Sequence, residues 1–199
     1  MADDKRGRDK QAADEERRQR ERALRAELER YDEAEPPVDD AELDGIEAEL
    51  DTVPFPATGA EIVDAVGERR VTAGEETYAV EELLPETEVE TFEAPAVVRS
   101  RIQRPTLATA MKRIVEASET IPNVEFSASQ RDAYEKTIRA LQAVDTLDED
   151  EGVRTITDWI VGRIEEKGKL PGSRDVRRQG AKITRGSGYE VRNDEWLGI

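Results

Sequence analysis

The chain has 199 residues, of which 47 are acidic and 30 basic, and its formal net charge is −17. It contains no histidine and no cysteine, which excludes a disulfide framework, a thiol nucleophile, a zinc site built from cysteine and histidine, and a histidine general base. No apolar run reaches the about 18 residues that span a membrane, and the charged N-terminus lacks the apolar core of a signal peptide. We therefore expect a cytoplasmic protein with no membrane association.

The first 53 residues are predicted to form a charged arm followed by a linker. Residues 10–31 are rich in Ala, Glu, Arg and Gln and have only a thin apolar stripe, which predicts a solvated helix within an N-terminal arm of residues 1–35. Residues 31–53 carry ten acidic and no basic side chains. Together with Pro36 and Pro37, this predicts an acidic linker over residues 36–53, with at most a short helical turn near Leu43–Leu50.

Residues 54–104 are predicted to form a small domain of helices and one hairpin. Thr58 followed by Glu61 has the spacing of a capping box and predicts a helix through Val66. Short β-prone runs at 70–72 and 77–80 predict a β-hairpin, with a helix beginning at Tyr78 as the alternative. We also expect helices at 81–84 and 92–102, the second with Pro95 in its first turn.

Residues 105–199 are predicted to form a helical domain. Apolar spacing and caps predict helices at 106–118, 128–144, 153–167 and 174–185, with an acidic hinge at 145–151 and a tail from Tyr189 that packs back onto the body. The last two helices, joined by a turn at 168–172, have the outline of a helix-turn-helix. The expected fold class is therefore mainly α with a small β-hairpin: a helical bundle with a helix-turn-helix-like C-terminal part and an extended N-terminal helical arm.

Basic residues are concentrated in two parts of this acidic chain, and the first is the last helix. At 100° per residue, four cations fall on one stripe of that helix, a fifth lies beside it, and Lys167 and Lys169 extend the stripe across the turn. We name as the C-terminal basic face Lys169, Arg174, Arg177, Arg178, Lys182 and Arg185. The alternative is a solvated helix face, or one paired with acidic stretches of the same chain.

The second concentration of basic residues lies in residues 94–115, which carry five basic and no acidic side chains. We name as the central basic segment Arg99, Arg101, Arg104, Lys112 and Arg113. These residues and the C-terminal basic face are the predicted nucleic-acid-binding residues, since long cationic side chains contact phosphate and Arg adds bidentate geometry. For the central segment, ion pairs with neighbouring acidic elements are the slightly favoured alternative.

The sequence offers no catalytic motif. Gly168-Lys169 lacks the earlier glycine and the following Ser or Thr of a phosphate-binding loop, and Gly186-Ser187-Gly188 lacks the third glycine of a dinucleotide fingerprint. We therefore predict a protein that is not an enzyme, with no catalytic residues, no metal ligands and no cofactor.

The composition indicates a protein adapted to molar salt, with a mesophilic acidic protein as the alternative. Of the 30 basic residues 23 are Arg and 7 are Lys, and only 36% of all residues are hydrophobic. At about 1 M salt the Debye length is about 3 Å, so the self-repulsion of so acidic a chain is largely screened. A nucleic-acid binder in such salt has to depend on bidentate Arg, stacking and buried apolar surface.

Several strings of the sequence carry a family resemblance. They are Phe55-Pro-Ala-Thr-Gly-Ala-Glu-Ile, Val80-Glu-Glu-Leu-Leu-Pro, Ala110-Met-Lys-Arg-Ile-Val-Glu, Lys169-Leu-Pro-Gly-Ser-Arg and Val191-Arg-Asn-Asp-Glu-Trp-Leu-Gly-Ile. On these strings the chain resembles, over about residues 54–199, a haloarchaeal family of domains of unknown function. The resemblance implies an archaeal, cytoplasmic, high-salt setting, and it implies no activity or site residue.

Two functional hypotheses follow from these observations. The first is a non-enzymatic protein that binds nucleic acid or ribonucleoprotein through the basic face of helix 174–185. The second is a protein-interaction adaptor that docks on a protein partner through residues 10–35 and the acidic linker.

Overall fold

The computed structural model describes residues 38–144 and 150–186. Within these ranges the protein has eight helices and two small antiparallel sheets, so the predicted class, mainly α with a small hairpin, is confirmed. The helices are α1 (Asp40–Leu50), α2 (Gly59–Val66), α3 (Val80–Leu83), α4 (Pro95–Ile102), α5 (Pro105–Ser118), α6 (Ala128–Gln142), α7 (Glu151–Lys167) and α8 (Ser173–Gly186). The strands are β1 (Ala57–Thr58), β2 (Arg70–Ala73), β3 (Glu76–Ala79) and β4 (Thr91–Phe92). The predicted helix at 10–31, most of the acidic hinge and the tail from Tyr189 lie outside the described residues.

The acidic stretch predicted as a linker instead contributes a helix to the core. In α1, Leu43, Ile46 and Leu50 are buried at a spacing of three and four residues, which places them on one face. Before the helix, Val38 forms a β-bridge with Ala73, so the chain is anchored to the hairpin at that point. The linker prediction is therefore wrong for residues 40–50, because it weighed the acidic run more heavily than the apolar spacing within it.

The capped helix and the hairpin form as the sequence predicted. Thr58 and Glu61 make both hydrogen bonds of a capping box at the start of α2. Strands β2 and β3 pair in antiparallel register, from Arg70 opposite Ala79 to Ala73 opposite Glu76. The predicted helix at 92–102 begins later, at Pro95, because Thr91 and Phe92 instead pair with β1 as a short strand.

The hydrophobic core has two clusters within one compact unit. The first is formed by α1 to α4 and the strands, and the second by α5 to α8. Helix α5 contributes to both clusters: Ala108 belongs to the first cluster and Leu107 to the second. The described residues on the two sides of the domain boundary predicted at residue 105 belong to the same compact unit.

The second cluster is a four-helix assembly that fixes the position of α8. Helix α5 packs on α7, and α8 packs on both α6 and α7. Val176 of α8 is fully buried, and Gly180, Ala181 and Thr184 are buried along the same side. Among the described helices, none is both long and apolar enough to cross a membrane.

Candidate nucleic-acid interface

The end of α7 and the start of α8 are joined by a short turn whose geometry follows from its sequence. Gly168 ends α7 with φ of 58°, a left-handed conformation that glycine adopts without steric cost, and its N–H donates to the carbonyl of Ile164 at 2.8 Å. At the other end of the turn, the carbonyl of Gly172 accepts from the N–H groups of Asp175 and Val176. Helix α8 therefore begins at Ser173, one residue before the predicted start.

Helix α6 holds this turn in place through two side chains. The hydroxyl of Tyr134 donates to the carbonyl oxygen of Pro171 at 2.6 Å, and the amide of Gln130 donates to the same oxygen at 3.1 Å. Tyr134 is fully buried, with its ring edge-on to Phe126. Burial raises the pKa of Tyr134 to about 12, so the hydroxyl keeps its proton and remains a donor at neutral pH. The orientation of α8 relative to α7 is thereby tied to the core.

Between α7 and α8 lies a groove of about 640 Å³. Among the described residues, six cationic side chains and one carboxylate, that of Asp175, line it, together with Trp159, Gln179 and residues 170–172 of the turn. The cations are Arg163, Lys167, Lys169, Arg178, Lys182 and Arg185. We name this feature the α7–α8 groove.

Four of the six residues of the C-terminal basic face line this groove: Lys169, Arg178, Lys182 and Arg185. All four are exposed. The other two do not line it: Arg174 is exposed elsewhere on α8, while Arg177 is half-buried and donates to the carbonyl of Ser173 at 3.3 Å. The stripe predicted on α8 thus provides one wall of a concave surface.

The opposite wall comes from α7, where the sequence had indicated Lys167 alone as an extension of the basic stripe. Trp159, Arg163 and Lys167 repeat at four-residue spacing and so lie on one face of the helix. The guanidinium carbon of Arg163 lies 5.5 Å from the centroid of the Trp159 ring, a cation–π distance, and Arg163 also pairs with Glu166 at 3.0 Å. This four-residue spacing is the signal by which the sequence alone could have indicated these residues.

Most cations of the central basic segment are paired with carboxylates of the same chain, as Arg99 illustrates. Its guanidinium is 2.5 Å from Asp44, 3.2 Å from Glu47 and 3.5 Å from Asp40, all of α1. Partial burial opposes its charged form, but the hydrogen bond to Asp44 and the three carboxylate charges outweigh this, so the pKa of Arg99 is raised. Arg99 therefore offsets part of the negative charge of the acidic helix that we had expected to be a linker.

Arg101 and Arg104 are buried and so cannot reach a phosphate backbone. Arg101 is 2.9 Å from Glu90, which is itself fully buried, and 2.6 Å from Glu135, and its guanidinium lies 5.8 Å from the ring centroid of Phe92. Arg104 donates to the carbonyl of Ser100 at 3.2 Å. Arg101 is structural because its partners come from the segment before β4 and from α6.

The last two residues of the central basic segment also have acidic partners. Lys112 donates to the carbonyl of Leu84 at 3.0 Å and pairs with Glu116, while Arg113 pairs with Asp158 of α7 at 2.8 Å. None of the five residues lines the α7–α8 groove. Four of these residues, Arg99, Arg101, Lys112 and Arg113, pair with carboxylates of the same chain, so the structure favours for them the alternative of intramolecular ion pairs.

In residues 38–144 and 150–186, no three acidic side chains cluster as a metal site would require. The cationic lining of the α7–α8 groove instead suits an anion, since lysine and arginine side chains supply hydrogen-bond donors and positive charge.

Comparison with known proteins finds a similarity in the N-terminal part of the described chain. A family model described as a family of unknown function (DUF5789) matches residues 40–113. The match begins at the start of α1 and ends within α5, so it includes the helix that we had expected to be a linker and excludes the α7–α8 groove. No curated protein and no solved structure matches the chain.

Proposed function

We propose that the protein is a non-enzymatic binder of nucleic acid, free or within a ribonucleoprotein, and that the contact is made in the α7–α8 groove. The observation that carries this proposal is the set of six cations that line one concave surface against the single carboxylate of Asp175 in the described chain. A phosphate backbone carries a regular series of negative charges, and several cations along two helix faces match such a ligand.

The groove differs from the central basic segment in how its charges are compensated. Arg99 alone has three carboxylates within 4 Å. Within the described part of the chain, Lys169, Lys182 and Arg185 make no ion pair, and the only one made by Arg178 is a 3.7 Å contact with Asp175. Cations that have no acidic partner among the described residues, and that the core holds at one surface, suit an anionic partner.

We further propose that the protein works in the high-salt cytoplasm of a haloarchaeon. The net charge of −17, the small number of lysines and the resemblance over about residues 54–199 support this setting. A locally basic groove on an acidic protein suits it, because the acidic surface keeps the chain soluble while the groove remains attractive to anions.

The adaptor hypothesis loses one of its two docking elements. Leu43, Ile46 and Leu50 are buried in the core, so the acidic stretch from residue 40 does not offer a free segment to a protein partner. The other element, residues 10–35, lies outside the described residues, and docking through it stays a prediction.

The test compares two double variants that remove equal charge. Arg178→Gln/Lys182→Gln removes one Arg and one Lys from the groove, whereas Arg70→Gln/Lys136→Gln removes one of each from exposed positions outside it. Binding of labelled RNA and DNA oligonucleotides to the full chain is measured by fluorescence anisotropy from about 0.2 to about 3 M KCl, a range that shortens the Debye length from about 8 Å to below 3 Å.

At about 0.2 M KCl we expect the groove variant to bind at least about tenfold more weakly than the wild type, equivalent to about 1.4 kcal/mol, and this difference should shrink as the salt concentration rises. The control variant loses the same net charge as the groove variant, but it should match the wild type within about twofold because its substituted residues lie outside the groove. Equal binding by the wild type and the groove variant at about 0.2 M KCl, or no binding by the wild type at any salt concentration, would overturn the proposal.

A further inference from the structure

The shape of the α7–α8 groove bears on which form of nucleic acid it accepts. A helix that reads duplex DNA has to project from its protein, because it enters a major groove about 12 Å wide. Here Arg178, Lys182 and Arg185 line a depression whose other wall is α7. The cations of the last helix thus line a concave surface, and such a surface favours a flexible single strand over a rigid duplex.

An aromatic side chain stands in the same groove. Trp159 packs partly against the second hydrophobic cluster and also lines the groove, with the guanidinium of Arg163 beside its ring. Binding of single strands combines a cationic groove that follows the backbone with aromatic or guanidinium planes on which bases stack. Both components are present in the α7–α8 groove.

The dimensions agree with a short stretch of single strand. The lining residues run from Trp159 to Lys167 on α7 and from Asp175 to Arg185 on α8, so each wall is about 12–15 Å long at about 1.5 Å per residue. At about 3.4 Å between stacked nucleotides, that length holds about four of them.

We propose that the α7–α8 groove binds single-stranded nucleic acid in preference to duplex, over about four nucleotides, with one base stacked on the Trp159–Arg163 pair. The cations of both walls hold the phosphates on either side of that base. This rests on the proposed function and adds to it the strandedness of the ligand and the role of Trp159. Stacking is not screened by salt, so it preserves affinity where phosphate contacts alone are weak.

The experiment compares a single-stranded oligonucleotide with a hairpin duplex of matched length and composition, as RNA and as DNA, on the full chain. Trp159→Leu removes the stacking plane, whereas Trp159→Phe keeps an aromatic ring at the same place. Thermal unfolding of each variant is measured alongside, because Trp159 also packs against the core. The readout is anisotropy at about 0.2 M and about 3 M KCl.

We expect the wild type to prefer the single strand by about tenfold, and Trp159→Leu to lose about tenfold in single-strand affinity while its duplex affinity changes little. Trp159→Phe should retain most of the single-strand affinity, which separates stacking from a folding defect. The loss in Trp159→Leu should persist at about 3 M KCl, unlike the loss in the charge variants.

The outcomes separate this inference from the proposed function. If the wild type binds neither ligand, the proposed function fails. If binding depends on Arg178 and Lys182 but the duplex binds as tightly as the single strand, or if Trp159→Leu binds as the wild type does, the inference fails and the proposed function stands. Oligonucleotides of about three to twelve nucleotides further test the site size, since affinity should rise most steeply up to about four.

Discussion

The hydroxyl of Tyr134 donates a 2.6 Å hydrogen bond to the carbonyl oxygen of Pro171, and this contact joins the core to the turn that precedes α8. Tyr134 is fully buried on α6, whereas Pro171 lies at the end of the α7–α8 groove. The geometry of the groove therefore depends on a residue that does not line it. This relationship leads to two predictions about Tyr134.

We predict that Tyr134→Phe lowers the free energy of unfolding by about 1 kcal/mol, the typical net contribution of one buried hydrogen bond. The loss is moderate because Gln130 still donates to the carbonyl of Pro171. Urea unfolding measures the stability, and nucleic-acid binding by the same variant reports whether the turn holds the groove open. A stability equal to that of the wild type would show that the hydroxyl does not anchor the turn.

The same substitution should have a pH-dependent effect. The pKa of Tyr134 is raised by burial from its ordinary value to about 12, so between about pH 10 and pH 12 the folded state binds more protons at this site than the unfolded state. The contribution of Tyr134 to stability is therefore complete below about pH 10 and is lost as the pH rises through about 12.

The stability difference between the wild type and Tyr134→Phe should accordingly be constant from about pH 7 to pH 9 and narrow above about pH 10. All other titratable side chains are the same in the two proteins, so the difference in their free energies of unfolding reports on Tyr134. Urea unfolding at about five pH values measures it, and a difference that stays constant up to about pH 11.5 would contradict the raised pKa.

The ion pair between Arg101 and Glu90 should contribute far more to stability than the exposed pair between Arg113 and Asp158. Arg101→Gln leaves the fully buried Glu90 with Arg131, whose guanidinium lies 3.4 Å away, and should cost about 3–5 kcal/mol. In the exposed pair about half of each side chain or more is accessible, so Arg113→Gln should cost less than about 1 kcal/mol.

The stability contributions of the two ion pairs should differ in their dependence on salt. Raising KCl from about 0.2 to about 3 M should abolish the effect of Arg113→Gln, because exposed charges are screened. The same increase in KCl should leave most of the destabilisation by Arg101→Gln in place, because dissolved ions do not enter the core. Unfolding of both variants at the two concentrations tests this, and equal sensitivity to salt would argue against a buried network.

Two glycine substitutions should have opposite effects. A Cβ at Gly59 would lie 2.1 Å from the carbonyl oxygen of Pro85, so Gly59→Ala has to displace backbone and should destabilise the protein by at least about 1–3 kcal/mol. A Cβ at Gly162, in the interior of α7, meets nothing within 4 Å, so Gly162→Ala should stabilise by up to about 1 kcal/mol. Thermal unfolding measures both, and a loss of stability in Gly162→Ala would contradict the placement of this residue.

Most helices of the described chain were predictable because their signals are local. The capping box at Thr58 and Glu61, the cap at Ser127 and the apolar spacing of α5 and α7 each depend on residues within a few positions of one another. The prediction failed at α1, where the ten acidic side chains of residues 31–53 indicated self-repulsion. That repulsion is relieved by cations distant in sequence, Arg69 beside Glu49 and Arg99 beside Asp44.

Arg99 links the error at α1 to the interpretation of the central basic segment. It belongs to the basic run and pairs in space with three carboxylates of the acidic run, so these charges are not independent features of the chain. The basic stripe on α8 could be derived from helix geometry alone. Its position opposite Trp159 and Arg163 could not, because it depends on how α7 and α8 pack.

The sequence by itself determined the mainly helical class, the hairpin, and the side of α8 that faces away from the core, because these depend on periodicity and on contacts within one element. Only the tertiary structure decided which basic residues remain without acidic partners within the described chain. The reason is that the electrostatic interaction between two charges depends on their distance and burial, and residues such as Arg99 and Asp44 lie far apart in the chain and 2.5 Å apart in the fold.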